Sequence, residues 1–362
     1  MAGRVLTEAD PRLEARTTLP GGVSASAVER AVTSLGDLAD LHIHVGGAVA
    51  PHILWSIAHE QGFKLPVRTF FEFRDLVTAN PEKVSSLGDY LQILHQWTEK
   101  IQSSPSAIER SCYEIIGKEY RSSRVSLIEL RFNPMKRNHE GERDLDHIIA
   151  AALRGLDRAC LEYGIKAGLI FCLAREFDFE LNEIIVRKAE RWRSRGIVGI
   201  DVAGPERHTI ELGGDVDAYE ELFARARRAG LGTTIHTGET ASTGVEGVIA
   251  VIDRLRPSRI GHGIAAAESE EAMRKLVERD ITLEICPTSN LRTKAVRDLA
   301  HLGEILARFR EKGVAYTINT DGPYLLETNM RLEFELLVRE GVLTEGEARV
   351  CNERAHERTF IG

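Results

Sequence analysis

The chain has 362 residues, 43% of them hydrophobic and 28% charged, which is enough to bury the core of one large domain or two small ones. Its formal net charge of −8 leaves no basic surplus to meet phosphates and argues against a nucleic-acid binder, although a small anionic ligand is compatible with it. No apolar run approaches the roughly 18 residues of a membrane span. The opening stretch MAGRVLTEADPRLEAR carries no apolar signal core, so a cytoplasmic protein without membrane partners is expected. Cys112, Cys160, Cys172, Cys286 and Cys351 are scattered and form no CxxC pair, which points to reduced core thiols.

Residues 1–35 read as a peripheral segment. Pro20, Gly21 and Gly22 break the chain there before a capping-box pattern at Ser26–Glu29 opens a short helix. Residues 36–362 read as a single domain. Short β-branched, apolar runs fall at about 38–45, 125–132, 166–173, 196–203, 231–236, 258–263, 281–286 and 314–320. Helical patterns separate them, as in YEELFARARRAG (219–230) and EEAMRKLVERD (270–280), each stopping near a Gly or Asp. Eight strands alternating with helices predict a parallel sheet closed as a (β/α)8 TIM barrel. The competing open sheet lacks a glycine-rich phosphate fingerprint after its first strand. An insertion over about 50–122 carries TFFEFRDLV (69–77) and a helix around 87–101. It is expected to form a helical lid that brings Phe70 and Phe73 to the substrate.

Chemistry-bearing residues gather at strand ends. His42 and His44 close the first strand in LHIH and, being two apart, share a face. His236 ends another strand in TTIHTGE, and Asp321 follows the last in YTINTDGP. Three imidazoles and a carboxylate make an N/O site for a divalent metal such as zinc, at the barrel end where such enzymes keep their chemistry. Glu239, just past the strand of His236, is placed to move protons, with burial raising its pKa. His262 lies between glycines in GHG, where backbone can approach a ligand closely.

From about residue 38 onward, the segments LHIHVGGAV, IELRFNP, IDVAGPE, HTGE, GHG, CPTSN and NTDGP stand in an order that resembles the adenosine/adenine deaminase family of the amidohydrolase superfamily. The resemblance implies one zinc per chain held by His42, His44, His236 and Asp321. It further implies that Glu239 protonates the ring nitrogen beside the amino-bearing carbon, and that His262 with Asp321 orients and deprotonates the attacking water. The backbone N–H of Gly204 would contact a purine ring nitrogen, and His44 would also border the substrate. Two positions depart from the family pattern. Gly46 stands where family members carry an acid that meets a ribose 5′-hydroxyl or serves adenine. Gly322 stands where a second Asp contacts purine N7. Both glycines are therefore counted among the substrate-binding positions, and Gly46 is expected to leave room for a bulky 5′ substituent, as in a 5′-modified adenosine or aminodeoxyfutalosine.

The expected activity is hydrolytic deamination of a 6-aminopurine nucleoside or related adenine-type compound to the 6-oxo product and ammonia. The alternatives are hydrolysis of another ring amine, pterin or pyrimidine, or of an amide or ester bond at the same metal. A two-metal barrel bridged by a carboxylated lysine is disfavoured, because the middle strands end in Asn133, Ala174 and Gly204. A non-enzymatic relative should have lost part of Glu239, His262 and Asp321, and all three are present.

Overall fold

The computed structural model describes residues 25–80, 82–138 and 144–362. Among these residues, nine parallel strand segments follow one another: β1 (Leu38–His44), β2 (Val125–Phe132), β3 (Lys166–Ala174), β4 (Ile197–Ala203), β5 (Gly232–Thr233), β6 (His236–Thr237), β7 (Arg259–His262), β8 (Thr282–Ile285) and β9 (Tyr316–Ile318). Each coincides with an expected run, except that 231–236 arrives as two pieces. β5 pairs with β4 and β6 with β7, so the break at Thr234–Ile235 passes one strand from the first half-sheet to the second. The Thr234 N–H donates to the Ile200 carbonyl, and the Ile235 carbonyl accepts from Gly261, so the interruption leaves no gap in the hydrogen bonding.

The ring closes between the last and first strands. Ile43 pairs with Asp321 in parallel. The Asp321 N–H donates to the His42 carbonyl at 2.8 Å, and the Asp321 carbonyl accepts from His44 N–H at 2.6 Å. The result is the TIM-barrel architecture, in which a strand is covered on both faces and therefore reads as a nearly unbroken apolar run. The C-terminal tail plugs the bottom. Arg259 stacks its guanidinium 3.6 Å from the Phe360 ring centroid, and Thr359 donates to Glu129 at 2.7 Å.

The outer helices are amphipathic. In Glu270–Glu278, Ser269 caps the first turn while Ala272, Met273 and Leu276 face the core. The expected stops are observed in left-handed backbone at Gly230 (φ 77°) and Asp280 (φ 54°). All five cysteines are free, and four are buried. No helix among the described residues is long and apolar enough to cross a membrane.

Of the peripheral segment 1–35, residues 1–24 lie outside the described part. The helix Ala25–Ser34 contains Ser26 within it, so Ser26 is not an N-cap, and Ala31 and Val32 pack into the main core. Between β1 and β2 the insertion is helical, as expected, but its last helix, Pro105–Ser123, belongs to the barrel wall and packs on Leu145–Tyr163. The stretch over the barrel mouth is the helix running from Leu87 to Ile101, with a π-helical turn at Leu94–Thr98.

Candidate active site

The strand ends turn sharply. β1 runs directly into a short helix, Val45–Ala48. His262 (φ 59°) and Asp321 (φ 64°) both adopt left-handed backbone, which is uncommon outside glycine, though His and Asp accept it more readily than most, and which tends to be retained where function requires it. These turns aim the side chains at one point above the barrel axis.

The His42 ring centroid lies 5.2, 4.6 and 5.1 Å from those of His44, His236 and His262. Nε2 of His44 is 3.1 Å from Nε2 of His236 and 3.7 Å from Asp321 Oδ1. The donor atoms of His42, His44 and Asp321 lie within 4.8 Å of one another, as do those of His42, His236 and His262. The opposite nitrogens are anchored by carboxylates: His42 Nδ1 sits 2.8 Å from Glu284 Oε2, and His236 Nδ1 sits 3.1 Å from Asp201 Oδ1. Each ring therefore carries its hydrogen away from the cluster and turns a lone pair inward. His42 Nε2 is buried there without a partner among the described residues. Burial, followed by the neighbouring positive charges, holds His42 and His44 well below the ordinary histidine range, so both stay neutral donors. At His236 burial acts the same way, but the Asp201 carboxylate outweighs it and raises the pKa.

The anchoring carboxylates are themselves paired inside the barrel. Arg131 bridges Asp201 (3.1 Å) and Glu284 (3.0 Å), and Arg259 joins Glu284 (2.7 Å) to Glu129 (2.5 Å). Sequence reasoning assigned these residues no role. A signal was present, because Glu129 and Arg131 share a face of VSLIELRF, and a charge within an otherwise buried strand demands a partner.

Glu239 and His262 face each other across the cluster, with Oε2 and Nε2 3.6 Å apart. Thr293 donates to Glu239 Oε1 at 3.1 Å. Burial, with the nearby Glu206 and Asp321 carboxylates, pushes the Glu239 pKa up to about 8, so it holds a proton at neutral pH. Burial takes His262 down to about 4, against the pull of Asp321, and Asn290 fixes its ring from 3.0 Å at Nδ1. Ser289 Oγ donates to Asp321 Oδ2 at 2.5 Å.

A cleft lies above this group, bordered by His44, Gly46, Gly204, His236, Glu239, His262 and Asp321. At Gly204 the φ of 106° favours glycine, while the only close neighbour of an added Cβ among the described residues, Glu176 Oε2 at 2.6 Å, is the end of a side chain that can swing aside. Leu87, Tyr90, Leu91, Leu94, His95 and Glu99 roof the cleft from one helical face, recurring every three or four residues as singles or adjacent pairs. Their apolar-and-acidic pattern in LGDYLQILHQWTE was the available sequence signal for the roof.

The expectation for the phenylalanines is corrected. Phe73 is fully buried and packs on Trp55 at 5.2 Å between centroids, Phe70 meets Trp55 edge to face at 6.2 Å, and neither borders the cleft. An amphipathic helix buries its largest apolar groups against its own support, here the helix Pro51–Glu60. The room expected at Gly46 is not open either, and the space beside Gly322 is also filled. A Cβ at Gly46 would lie 3.1 Å from both Leu94 and Glu99, and one at Gly322 would collide with the Tyr90 hydroxyl. The roof helix fills the room those side chains would occupy, and Gly322 borders Tyr90 rather than the cleft.

A sequence model of the family described as adenosine deaminase matches residues 37–362. This chain belongs to the adenosine deaminase family. It is accordingly a hydrolytic deaminase of the amidohydrolase superfamily, a family of metalloenzymes. The adenosine deaminase of Enterococcus faecalis is 32% identical over 322 residues, covering 89% of this chain and 91% of that protein. The aminodeoxyfutalosine deaminase of Acidothermus cellulolyticus is 33% identical over 310 residues, covering 84% and 82%. Among solved structures, adenine deaminase from Arthrobacter aurescens superimposes with a TM-score of 0.77 at 23% identity over 90% of this chain and 94% of that one. A zinc-bound amidohydrolase from Burkholderia ambifaria does so with 0.81 at 21% identity over 96% and 92%. At these identities, the structural likeness speaks for the fold.

Proposed function

We propose that this deaminase removes the 6-amino group of an adenine-type ring by hydrolysis, releasing ammonia and the 6-oxo product. The observation that carries the reading is the pairing of a proton-bearing Glu239 with a neutral His262 across a cluster of inward-facing imidazoles. The donor set fits a metal. His42 presents a buried nitrogen without a partner, and the His44 and His236 nitrogens crowd to 3.1 Å, an approach that a shared cation would relieve. His42, His44, His236 and Asp321 would hold one ion, zinc being the natural choice for this ligand set. When bound, such an ion supplies Lewis acidity and brings the pKa of water toward neutrality.

The chain's own residues do the remaining work. Glu239 gives its proton to the ring nitrogen beside the amino-bearing carbon, which makes that carbon a better acceptor. Asn290 Nδ2 lies 3.0 Å from His262 Nδ1 and fixes the ring; with the amide flipped, so that its oxygen accepts the Nδ1 hydrogen, Nε2 would be ready to take a proton from water. Asp321, steadied by Ser289, orients that water. Gly204, whose φ of 106° favours glycine, would bring its backbone N–H against the ring edge. The leucines of the roof exclude bulk water. The substrate is a small molecule, and five unpaired cysteines suit the cytoplasm.

The test is ammonia release from zinc-loaded protein offered adenine, adenosine, 5′-modified adenosines, aminodeoxyfutalosine, and pterin and pyrimidine amines. Release from an adenine-ring compound supports the reading. Release only from pterin or pyrimidine amines, or from none, overturns it.

A further inference from the structure

Beside the histidine cluster, the wall of the cleft carries hydrogen-bond donors that the protein leaves unused. Arg137 lies on the 3₁₀ turn Met135–Arg137 just after β2, fully buried yet bordering the cleft. Its one ion pair among the described residues is with Glu99 Oε1, 3.1 Å from Nη1. Among the described residues, none of its three guanidinium nitrogens makes a properly directed hydrogen bond. A guanidinium offers five N–H groups, and burying them with one partner is costly unless something else enters to accept them.

Asn133 repeats the pattern on the same wall. Its Oδ1 accepts from the backbone N–H groups of Met135 (2.8 Å) and Lys136 (2.9 Å), which fixes the amide. Its Nδ2 is thereby left as an outward donor, buried and without a partner among the described residues. The acceptors on this wall are already engaged. Glu99 is held between Arg137 and His95 (2.5 Å), and Glu176 takes Lys136 at 2.5 Å. Burial would raise the Glu99 pKa, but Arg137 and His95 outweigh it and keep the group a carboxylate. What the wall lacks is an acceptor-rich group.

We propose that the substrate is an adenine-type compound bearing an anionic substituent, a carboxylate or a phosphate, whose oxygens are received by Arg137 and Asn133. Planar bidentate recognition of such groups is what arginine does best. The proposal rests on the deaminase reading and narrows it. It also gives the Gly46 departure a meaning, since one of the two side chains packed over Gly46, beside Leu94, is Glu99, which positions Arg137.

The experiment compares deamination of adenosine, adenosine 5′-monophosphate and adenosine 5′-carboxylate by the zinc-loaded protein. At least one anionic compound should exceed adenosine in kcat/KM by about tenfold to a hundredfold, the worth of hydrogen bonds to a charged group, and which one leads distinguishes phosphate from carboxylate. In the paired variant Arg137→Met with Glu99→Gln, which leaves no lone buried charge, that ratio should collapse toward one. Calorimetry on the unaltered protein supplies a second reading, with inosine 5′-monophosphate or inosine 5′-carboxylate binding more tightly than inosine. Equal or better use of adenosine, or an anion preference that survives the paired variant, overturns the anion subsite while leaving the deaminase standing. Ammonia from no adenine-ring compound at all overturns both.

Discussion

Tyr90 sets its hydroxyl in the space that a side chain at Gly322 would need, while lying 3.5 Å from the neighbouring Asp321 Oδ1. One roof side chain thus occupies the site of a missing acid and touches a candidate ligand.

The first prediction follows from that contact. Gly322→Asp should force the roof helix off the barrel mouth, costing about 1–3 kcal/mol by overpacking. Combining it with Tyr90→Ala should recover much of the loss. Chemical denaturation of the two single variants and the double variant measures the coupling, and strictly additive effects would show that the two positions do not meet.

Asp201→Asn should weaken metal binding by about tenfold to a hundredfold, because the His236 ring loses the carboxylate that fixes its hydrogen. Competition against a chromogenic chelator gives the affinity directly. Stripping the ion with a strong chelator should abolish turnover, and returning zinc should restore it.

Glu239→Gln should retain the metal and the ligand while deamination falls by at least about two orders of magnitude. In the parent enzyme the acid must be protonated, so kcat/KM should decline as pH rises through the Glu239 pKa, about 8 before a bound cation draws it lower. Loss of that alkaline limb in the variant, measured as a pH–rate profile, assigns it to Glu239. An unchanged limb would assign it elsewhere.

Glu333 gives a stability prediction away from the chemistry. Burial pushes its carboxyl from 4.5 up to about 7, although Thr328 (2.7 Å) and the Thr288 N–H (3.1 Å) donate to it. The folded protein keeps this proton while the unfolded chain gives it up above about pH 4.5. The contribution is therefore present in full below that pH and is lost as pH climbs through about 7, an effect on the order of 3 kcal/mol. Unfolding free energies of the metal-stripped protein across this window should fall with pH, and Glu333→Gln should flatten the slope.

Much of this architecture was legible because strands buried on both faces write themselves as short apolar runs, and His42, His44, His236, Glu239, His262 and Asp321 all stand where such runs stop. The break between β5 and β6 was not legible, since pairing with different neighbours leaves no mark on composition. The Phe-rich stretch misled because aromatic residues suit a lid and a lid's foundation equally, and only packing on Trp55 separates the two. The glycine at 46 read as a vacancy, whereas the side chains that fill it, Leu94 and Glu99, come from a helix about 50 positions further along the chain. The interior carboxylates were visible one by one, but their pairing through Arg131 and Arg259 is a property of the closed ring.

The pairing of Ile43 with Asp321 has a consequence for how the molecule comes into being. His42 and His44 are among the first barrel residues to leave the ribosome, and Asp321 comes with the final strand. The last peptide hydrogen bonds of the cylinder are therefore formed by the same residues that assemble the ligand cluster. A nascent or nicked chain can stack most of its strands and still offer a metal only a partial set of donors. Tight metal uptake during refolding would then time the joining of the seam, and a divalent ion would act as a clasp on the finished barrel, favouring the closed form over every open-edged intermediate.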